Sequence, residues 1–181
     1  MKTAIFSRIE SVSFRRLVWI IPVVFLIHEL EEWNIMDWYE RFYTEMPAST
    51  DLSVRIWLLA ISIIAFILTG AALLFKNTGV TAYLMVPLIA FTLANGLQHL
   101  YWLFLFGAYD PGVIFGGFVG VPAGIYVIWR AAKEKLVRPW YPVIFIPYLV
   151  HIMTGTVEAG NTLSPSIRSI HELMIKVVAM L

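Results

Sequence analysis

The sequence predicts an all-α integral membrane protein, a helical bundle of five spans with a possible sixth, C-terminal helix. The 181 residues are 60% hydrophobic, and the mean hydropathy is +0.79. Charged residues make up only 14% of the chain, whereas soluble domains carry about 25%. The long apolar stretches have the lengths expected of membrane-spanning helices, about 20 residues each.

Composition also limits the kinds of function. The chain has no cysteine, which excludes disulfides, thiol nucleophiles and cysteine-ligated metal centres. It has no basic patch with interleaved aromatic residues, so we expect no nucleic-acid partner. The expected partners are membrane lipids and a lipid or other apolar small-molecule substrate.

The N-terminal third predicts a surface segment, a first span and a loop. Residues 1–16 are basic and amphipathic, and we expect them to lie on the cytoplasmic face of the bilayer. The bundle proper is expected over residues 17–160. Its first span runs from Leu17 to Glu32, with Pro22 as a local kink. Residues 34–53 are rich in acidic and aromatic side chains and are predicted to form a loop.

Four further apolar stretches predict the remaining spans. They run over residues 54–75, 80–106, 113–129 and 139–157. In the fourth span, Gly116, Gly120 and Gly124 share one face, which favours close helix packing. In the fifth, Pro142 and Pro147 predict bends. Residues 161–181 form a C-terminal helix that is either interfacial or a sixth span.

The distribution of basic residues predicts the orientation. Four lysines and arginines precede the first span and four lie in the loop after the fourth, at residues 130–138. Because basic residues accumulate on the cytoplasmic side, the N-terminus is predicted to be cytoplasmic.

The stretch His28-Glu29-Leu30-Glu31-Glu32 ends the first span and carries its ionisable groups. Helix spacing places His28, Glu31 and Glu32 roughly on one side, while Glu29 is expected to point elsewhere. Ionisable groups at membrane depth are costly and tend to face the interior of a bundle, where they mark function. The cluster is therefore a candidate for binding a metal or moving protons.

Two other spans carry polar groups at a similar depth. Asn95 and His99 are four residues apart on one helical face, and so are His151 and Gly155. We expect His28, Glu32, Asn95, His99 and His151 to line one internal cavity. By contrast, His171 and Glu172 in the amphipathic last helix are expected at the surface.

These motifs resemble a known family. His28-Glu29-Leu30-Glu31-Glu32 fits the His-x-x-Glu-Glu signature of the HXXEE membrane proteins, and Asn95 with His99 and His151 with Gly155 match its Asn-x-x-x-His and His-x-x-x-Gly signatures in the same order. The resemblance covers about residues 17–160. It implies a multi-span protein suspected of being an enzyme, with no settled substrate or reaction.

The first functional hypothesis is a metal-dependent membrane hydrolase of a lipid ester or amide. His28, His99 and His151 would supply imidazoles and Glu32 or Glu31 a carboxylate, a ligand set that suits zinc, iron or manganese. The remaining glutamate would act as general base, and Asn95 would act beside the ligands. No organic cofactor is expected.

Two alternatives remain open. A metal-independent enzyme could use the same histidines and glutamates with Asn95 to isomerise or cyclise an isoprenoid- or sterol-like lipid by acid–base chemistry. A non-catalytic lipid or ion carrier would use the polar groups as a pathway. Residues beside the motifs are candidates for substrate binding: Trp33, Trp102, Thr154, Gly155 and Glu158.

Overall fold

The computed structural model describes residues 11–44, 49–154 and 165–180, and within them the chain is helical without a strand. The all-α prediction is confirmed. The helices are α1 (Phe14–Leu17), α2 (Ile20–Glu31), α3 (Ile35–Phe42), α4 (Asp51–Leu74), α5 (Thr78–Phe106), α6 (Val113–Lys133), α7 (Trp140–Val143), α8 (Ile146–Thr154) and α9 (Pro165–Val178).

Three of the described helices are long and apolar enough to cross a membrane: α4, α5 and α6. They correspond to the second, third and fourth predicted spans. Their outward faces carry exposed apolar side chains such as Ile63, Ile67 and Leu74, as expected of surfaces that contact lipid. The first predicted span is only the 12-residue α2, and the fifth is divided between α7 and α8. The membrane assignment is supported, but the described residues contain three long spans and not five.

Side chains and turns define the ends of the long helices. Thr50 and Ser53 form a capping box at the start of α4. The Asn77 side chain accepts hydrogen bonds from the N–H groups of Gly79 and Val80 at the start of α5. Gly107 ends α5 in a left-handed conformation, with φ of 61°. These caps satisfy backbone groups that a helix leaves free at its ends.

Arg15 attaches α1 to the turn between α4 and α5. Its guanidinium donates to the carbonyls of Leu73 and Phe75 and to the hydroxyl of Thr81. The last carbonyls of α4 lack partners within their own helix, and a cation is favourable there. The described part of the predicted surface segment therefore packs into the bundle, and Phe14 is buried.

Pro87 interrupts the hydrogen bonding of α5 and provides an attachment point for α7. Proline has no N–H to donate to the carbonyl of Tyr83, four residues earlier. The hydroxyl of Tyr141 donates to that carbonyl instead, at 3.3 Å, and the two tyrosine rings pack at 4.8 Å.

The buried apolar side chains form two clusters. The larger joins α1, α2, α5 and α6 around residues such as Val18, Met85 and Val127. The smaller is aromatic and packs α3 against the end of α5 through Trp38, Tyr39 and Trp102. Residues 34–53, predicted as a loop, therefore contain the helix α3. One face of this helix is buried because its aromatic residues cover that end of the bundle.

Candidate metal centre

His28, Glu32 and His99 bring one ligand atom each to within 4.8 Å of the others. His28 and Glu32 stand one turn apart at the end of α2, and His99 reaches them from α5. The Nε2 atom of His99 lies 2.7 Å from Oε1 of Glu32, and the Nε2 atom of His28 lies 3.8 Å from the same oxygen. Both histidines are only 1% exposed.

Groups outside the cluster fix the orientation of each imidazole. The Nδ1 atom of His28 lies 3.0 Å from the carbonyl oxygen of Gly112. A carbonyl can only accept, so Nδ1 carries the proton and Nε2 presents a lone pair. The Nδ1 atom of His99 lies 2.6 Å from a carboxylate oxygen of Asp110. A metal-binding histidine has this same arrangement, with its second nitrogen donating to a carbonyl or carboxylate.

Asp110 was predicted only as part of a turn, yet it is fully buried. Burial raises its pKa to about 6, while the hydrogen bond from His99 acts in the opposite direction. The backbone carbonyl of Asp110 also accepts from Val113 at the start of α6, at 3.1 Å. The turn that precedes α6 therefore supplies both imidazole partners, the Asp110 carboxylate and the Gly112 carbonyl.

Glu29 lies beside the cluster, and the expectation that it points elsewhere is wrong. It is 2% exposed, and its Oε1 lies 3.8 Å from Nε2 of His28. On a helix Glu32 projects about 40° from His28 and Glu29 about 100°, so Glu32 lies between the two and all three can face one space.

Several buried acceptors of the site have no hydrogen-bond partner among the described residues. They are Nε2 of His28, both carboxylate oxygens of Glu29 and Oδ1 of Asn95. Buried polar atoms are nearly always satisfied, and leaving a carboxylate without a donor is expensive. Lone pairs collected at one place fit a bound cation.

Glu31 has a different role from its neighbour Glu32. Its carboxylate accepts hydrogen bonds from the backbone N–H groups of Ile114 at 3.1 Å and Phe115 at 2.9 Å. It also accepts from the hydroxyl of Tyr109 at 2.8 Å. A carboxylate at a helix N-terminus is favourable because the first N–H groups are free and the helix dipole is positive there. Glu31 therefore holds the start of α6 and the turn before it.

Glycines allow α6 to approach the histidines. The first eight residues of α6, Val113–Gly120, are π-helical, a conformation often found at functional sites. At Gly112, where φ is +98°, an added Cβ would lie 2.7 Å from Cε1 of both His28 and His99. At Gly116 it would lie 2.6 Å from Nδ1 of His28. Gly112 is thus part of the site, whereas the sequence indicated only a turn.

A cavity of about 210 Å³ adjoins the cluster. Glu29, Glu32, Asn95 and Gln98 provide its polar wall, and the remaining wall is mainly apolar and aromatic. The other lining residues are Ile35, Tyr39, Val54, Trp57, Leu58, Ile61, Phe91, Ala94, Tyr148, Ile170, His171 and Met174. Such a space suits an apolar molecule whose polar group faces the carboxylates.

His171 lines this cavity, so the expectation that it lies at the surface is wrong. It is 4% exposed, and its Nδ1 lies 2.6 Å from the hydroxyl oxygen of Ser49. Burial lowers its pKa to about 4. Its neighbour Glu172 is exposed, as expected.

The remaining predicted site residues are distributed as follows. His151 is exposed on α8 and is not part of the three-ligand group. Trp102 is buried, and its ring packs edge-on to His99 at 5.2 Å. Trp33 is half-buried beneath the Arg55 guanidinium, at 5.5 Å. Thr154 is the last residue of α8. Gly155 and Glu158 lie outside the described residues.

The chain matches a protein-family model over residues 19–127, more than half of its length, and the family is described as proteins of unknown function with an HXXEE motif. The matched region contains all three converging ligands and Asn95, while His151 lies beyond it. No curated protein and no solved structure matches the chain. The match confirms the resemblance noted in the sequence: the chain belongs to the HXXEE family.

Proposed function

We propose that this protein is a membrane enzyme that hydrolyses an ester or amide bond of a lipid with a divalent transition-metal ion held by His28, Glu32 and His99. The observation that carries this proposal is the convergence of two imidazole Nε2 atoms and one carboxylate oxygen. Ligand atoms about 2.1 Å from a tetrahedral zinc ion are about 3.4 Å apart. The observed separations of 2.7 and 3.8 Å lie on either side of that value.

The three ligand groups suit metal-dependent hydrolysis. Two imidazoles and a carboxylate are appropriate for zinc, iron or manganese, and zinc in such a site would lower the pKa of a bound water to about 7. Glu29 is the general base in this proposal, because both of its oxygens are buried beside the ligands without a described hydrogen-bond partner. Asn95, which lines the cavity together with Glu29 and Glu32, orients the polar group of the substrate. The apolar wall excludes water from the rest of the cavity.

Elemental analysis of the purified full-length protein tests the proposal. We expect about one equivalent of transition metal in the wild type and almost none in His28→Ala or His99→Ala. Glu29→Gln should keep the metal but lose hydrolysis of a long-chain p-nitrophenyl ester by about 100-fold or more, the usual contribution of a general base.

His151→Ala is the matched control, because His151 is an exposed histidine outside the converging group. It should retain both metal and activity. A wild type that is active without metal, or a His99→Ala variant with a full equivalent of metal, would contradict the proposal.

One observation favours a second candidate, a metal-free acid–base isomerase or cyclase of an isoprenoid- or sterol-like lipid. Asp110, His99 and Glu32 form a continuous hydrogen-bonded line with separations of 2.6 and 2.7 Å. A proton could move along this line through the imidazole. In that case the active wild type contains no stoichiometric metal, and Glu32→Gln abolishes turnover because an amide cannot carry the proton.

We also propose that the chain crosses the membrane five times with a cytoplasmic N-terminus. The three long helices are supplemented by α1 with α2 and by α7 with α8. From Phe14 to Glu31 the first pair would extend about 27 Å at helical rise, close to the thickness of the hydrocarbon core. The basic residues before α2 and after α6 favour the cytoplasmic side for both segments.

A further inference from the structure

An apolar groove runs along α4 and α5 on the membrane side of the bundle. It has a volume of about 520 Å³, and its lining side chains are all apolar. Along α4 the lining residues recur every three or four positions, from Ile61 through Leu68 to Phe75, which caps the helix. The rise of a helix makes this stripe about 21 Å long, a length comparable with that of a long acyl chain.

The groove adjoins the cavity of the candidate metal centre, with which it shares part of its wall. Ile61 and Phe91 line both spaces. Phe25, which also lines the groove, packs its ring 5.9 Å from the Phe91 ring and 5.9 Å from the His28 imidazole. One end of the groove therefore lies next to the cavity that Glu29 and Glu32 line, and the other lies about 21 Å further along α4.

We propose that the groove binds the hydrocarbon chain of the substrate, with the polar head of the same molecule in the cavity beside Glu29 and Glu32. The position of the head depends on the proposed function, whereas binding of the chain depends only on the groove. An apolar groove next to a cavity with carboxylates in its wall matches a molecule with a single chain and a small polar head.

The energetics indicate how such a chain is selected. Membrane lipid is as apolar as the groove, so association is not driven by removal of apolar surface from water. Close packing between the chain and the wall of the groove decides instead whether the chain binds. Small side chains along α4, Ala65, Ala71 and Ala72, make room for the chain, so a larger side chain at one of them should exclude it.

Photo-crosslinking tests the proposal without requiring turnover. The probe is a long-chain fatty acid with a diazirine at its terminal carbon, added to the full-length protein in phosphatidylcholine nanodiscs. We expect labelling at the Phe75 end of the groove that is competed by excess unlabelled fatty acid. With the diazirine beside the carboxyl group, labelling should move to the Ile61 and Phe91 end.

Two variants provide a matched comparison. Ala71 is an exposed residue that lines the groove, and Ala71→Phe should reduce the competed labelling about fivefold or more, because overpacking a filled space is costly. Ile67 is exposed on α4 and does not line the groove, so Ile67→Phe should leave labelling unchanged. If Ala71→Phe does not fold, Leu84→Phe blocks the same groove from α5.

Labelling that is not competed, that falls equally on Ile63 and Ile67, or that persists in the groove-filling variants would overturn the proposal. Metal content is measured on the same preparations and tests the proposed function separately. Competed groove labelling in a metal-free protein retains the groove and removes the metal-dependent hydrolase. A protein that contains the metal but shows no competed labelling retains the metal-dependent hydrolase and removes the groove as the binding site of the chain.

Discussion

The imidazoles of the candidate centre are oriented by groups that do not themselves reach the ligand cluster. Asp110 accepts from Nδ1 of His99, and the Gly112 carbonyl accepts from Nδ1 of His28. Both lie in the turn between α5 and α6, which Glu31 holds in place through Tyr109 and the first N–H groups of α6. Residue-scale changes in this turn should therefore alter the proposed metal binding without removing a ligand.

Asp110→Asn tests the carboxylate partner of His99. Asparagine keeps the shape and one acceptor oxygen but loses the negative charge that makes the imidazole a stronger ligand. We expect metal affinity to fall about 10- to 100-fold, as is usual for such partners. The measurement is a competition titration with a metal chelator. Asp37→Asn, at an exposed position, should have the affinity of the wild type, and an unchanged affinity in Asp110→Asn would remove Asp110 from the centre.

Gly112→Ala tests the close approach of the turn to the histidines. Both Gly112 and Gly107 have positive φ, so alanine at either position carries a backbone penalty of about 1–2 kcal/mol. Only at Gly112 would the new Cβ also meet both imidazoles, since nothing lies within 4 Å of the corresponding position at Gly107.

We expect both variants to lose stability in denaturant unfolding, Gly112→Ala more because of the added contacts, and only Gly112→Ala to lose about tenfold or more in metal affinity. Metal affinity falls because the new Cβ displaces histidine ligands whose positions must be held within narrow limits. Equal metal affinity in the two variants would show that the turn can move away without disturbing the histidines.

Sequence reasoning located part of this site and missed the rest for identifiable reasons. His28, Glu32 and His99 were predicted because ionisable groups in apolar spans are unusual. Glu29 was missed although the helical projection already placed Glu32 between it and His28. Asp110 was missed because an acidic residue before proline and glycine is ordinary in a turn, and no periodicity connects it with His99.

At the scale of helices, Glu31 joins α2 to α6. Its carboxylate accepts three hydrogen bonds, two from the first backbone N–H groups of α6. Glu31→Gln keeps the shape but loses the charge, and we expect a loss of about 1 kcal/mol of stability, the usual contribution of a charged cap. Denaturant unfolding measures the change, and metal content should stay at the level of the wild type.

Glu40→Gln is the control for this prediction, because Glu40 is an exposed glutamate of the neighbouring helix α3. It should leave stability unchanged. A complete loss of metal from folded Glu31→Gln would instead assign Glu31 to the ligands, which was one of the two choices that the sequence left open.

The helix boundaries were predictable where a local signal exists. The predicted spans 54–75, 80–106 and 113–129 begin within three residues of α4, α5 and α6, because Asn77 and the Asp110-Pro111-Gly112 turn interrupt the apolar pattern. The predicted fifth span, in which bends were expected at two prolines, is divided into the two helices α7 and α8. Pro142 and Pro147 divide it, and once a helix is broken its rotation no longer follows from residue spacing. The face occupied by His151 was unpredictable for that reason.

At the scale of the whole molecule, the proposed orientation places the turn before α6 and the helix α3 on the outer side. Single cysteines test this directly, because the chain contains no cysteine of its own. Asp51→Cys should react with a membrane-impermeant maleimide in intact cells. Lys76→Cys and Lys135→Cys should react only after the membrane is opened, since basic turns remain in the cytoplasm.

All three positions are exposed, so accessibility to the reagent depends on the side of the membrane and not on burial. The cysteine-free wild type gives the background. The reverse pattern of labelling would invert the proposed orientation, and labelling of Lys76→Cys and Lys135→Cys from opposite sides would contradict the number of crossings between them.

The adjacent glutamates at the end of α2 also explain the form of the family signature. Glu31 binds α6 and Glu32 faces His99, so α2 is held from two directions and has no freedom to rotate about its own axis. Adding or removing one residue after His28 would turn both carboxylates by about 100°, and neither would meet its partner. The signature must therefore be an uninterrupted string of fixed length, whereas Asp110, held to His99 across a turn, can function without belonging to any such string.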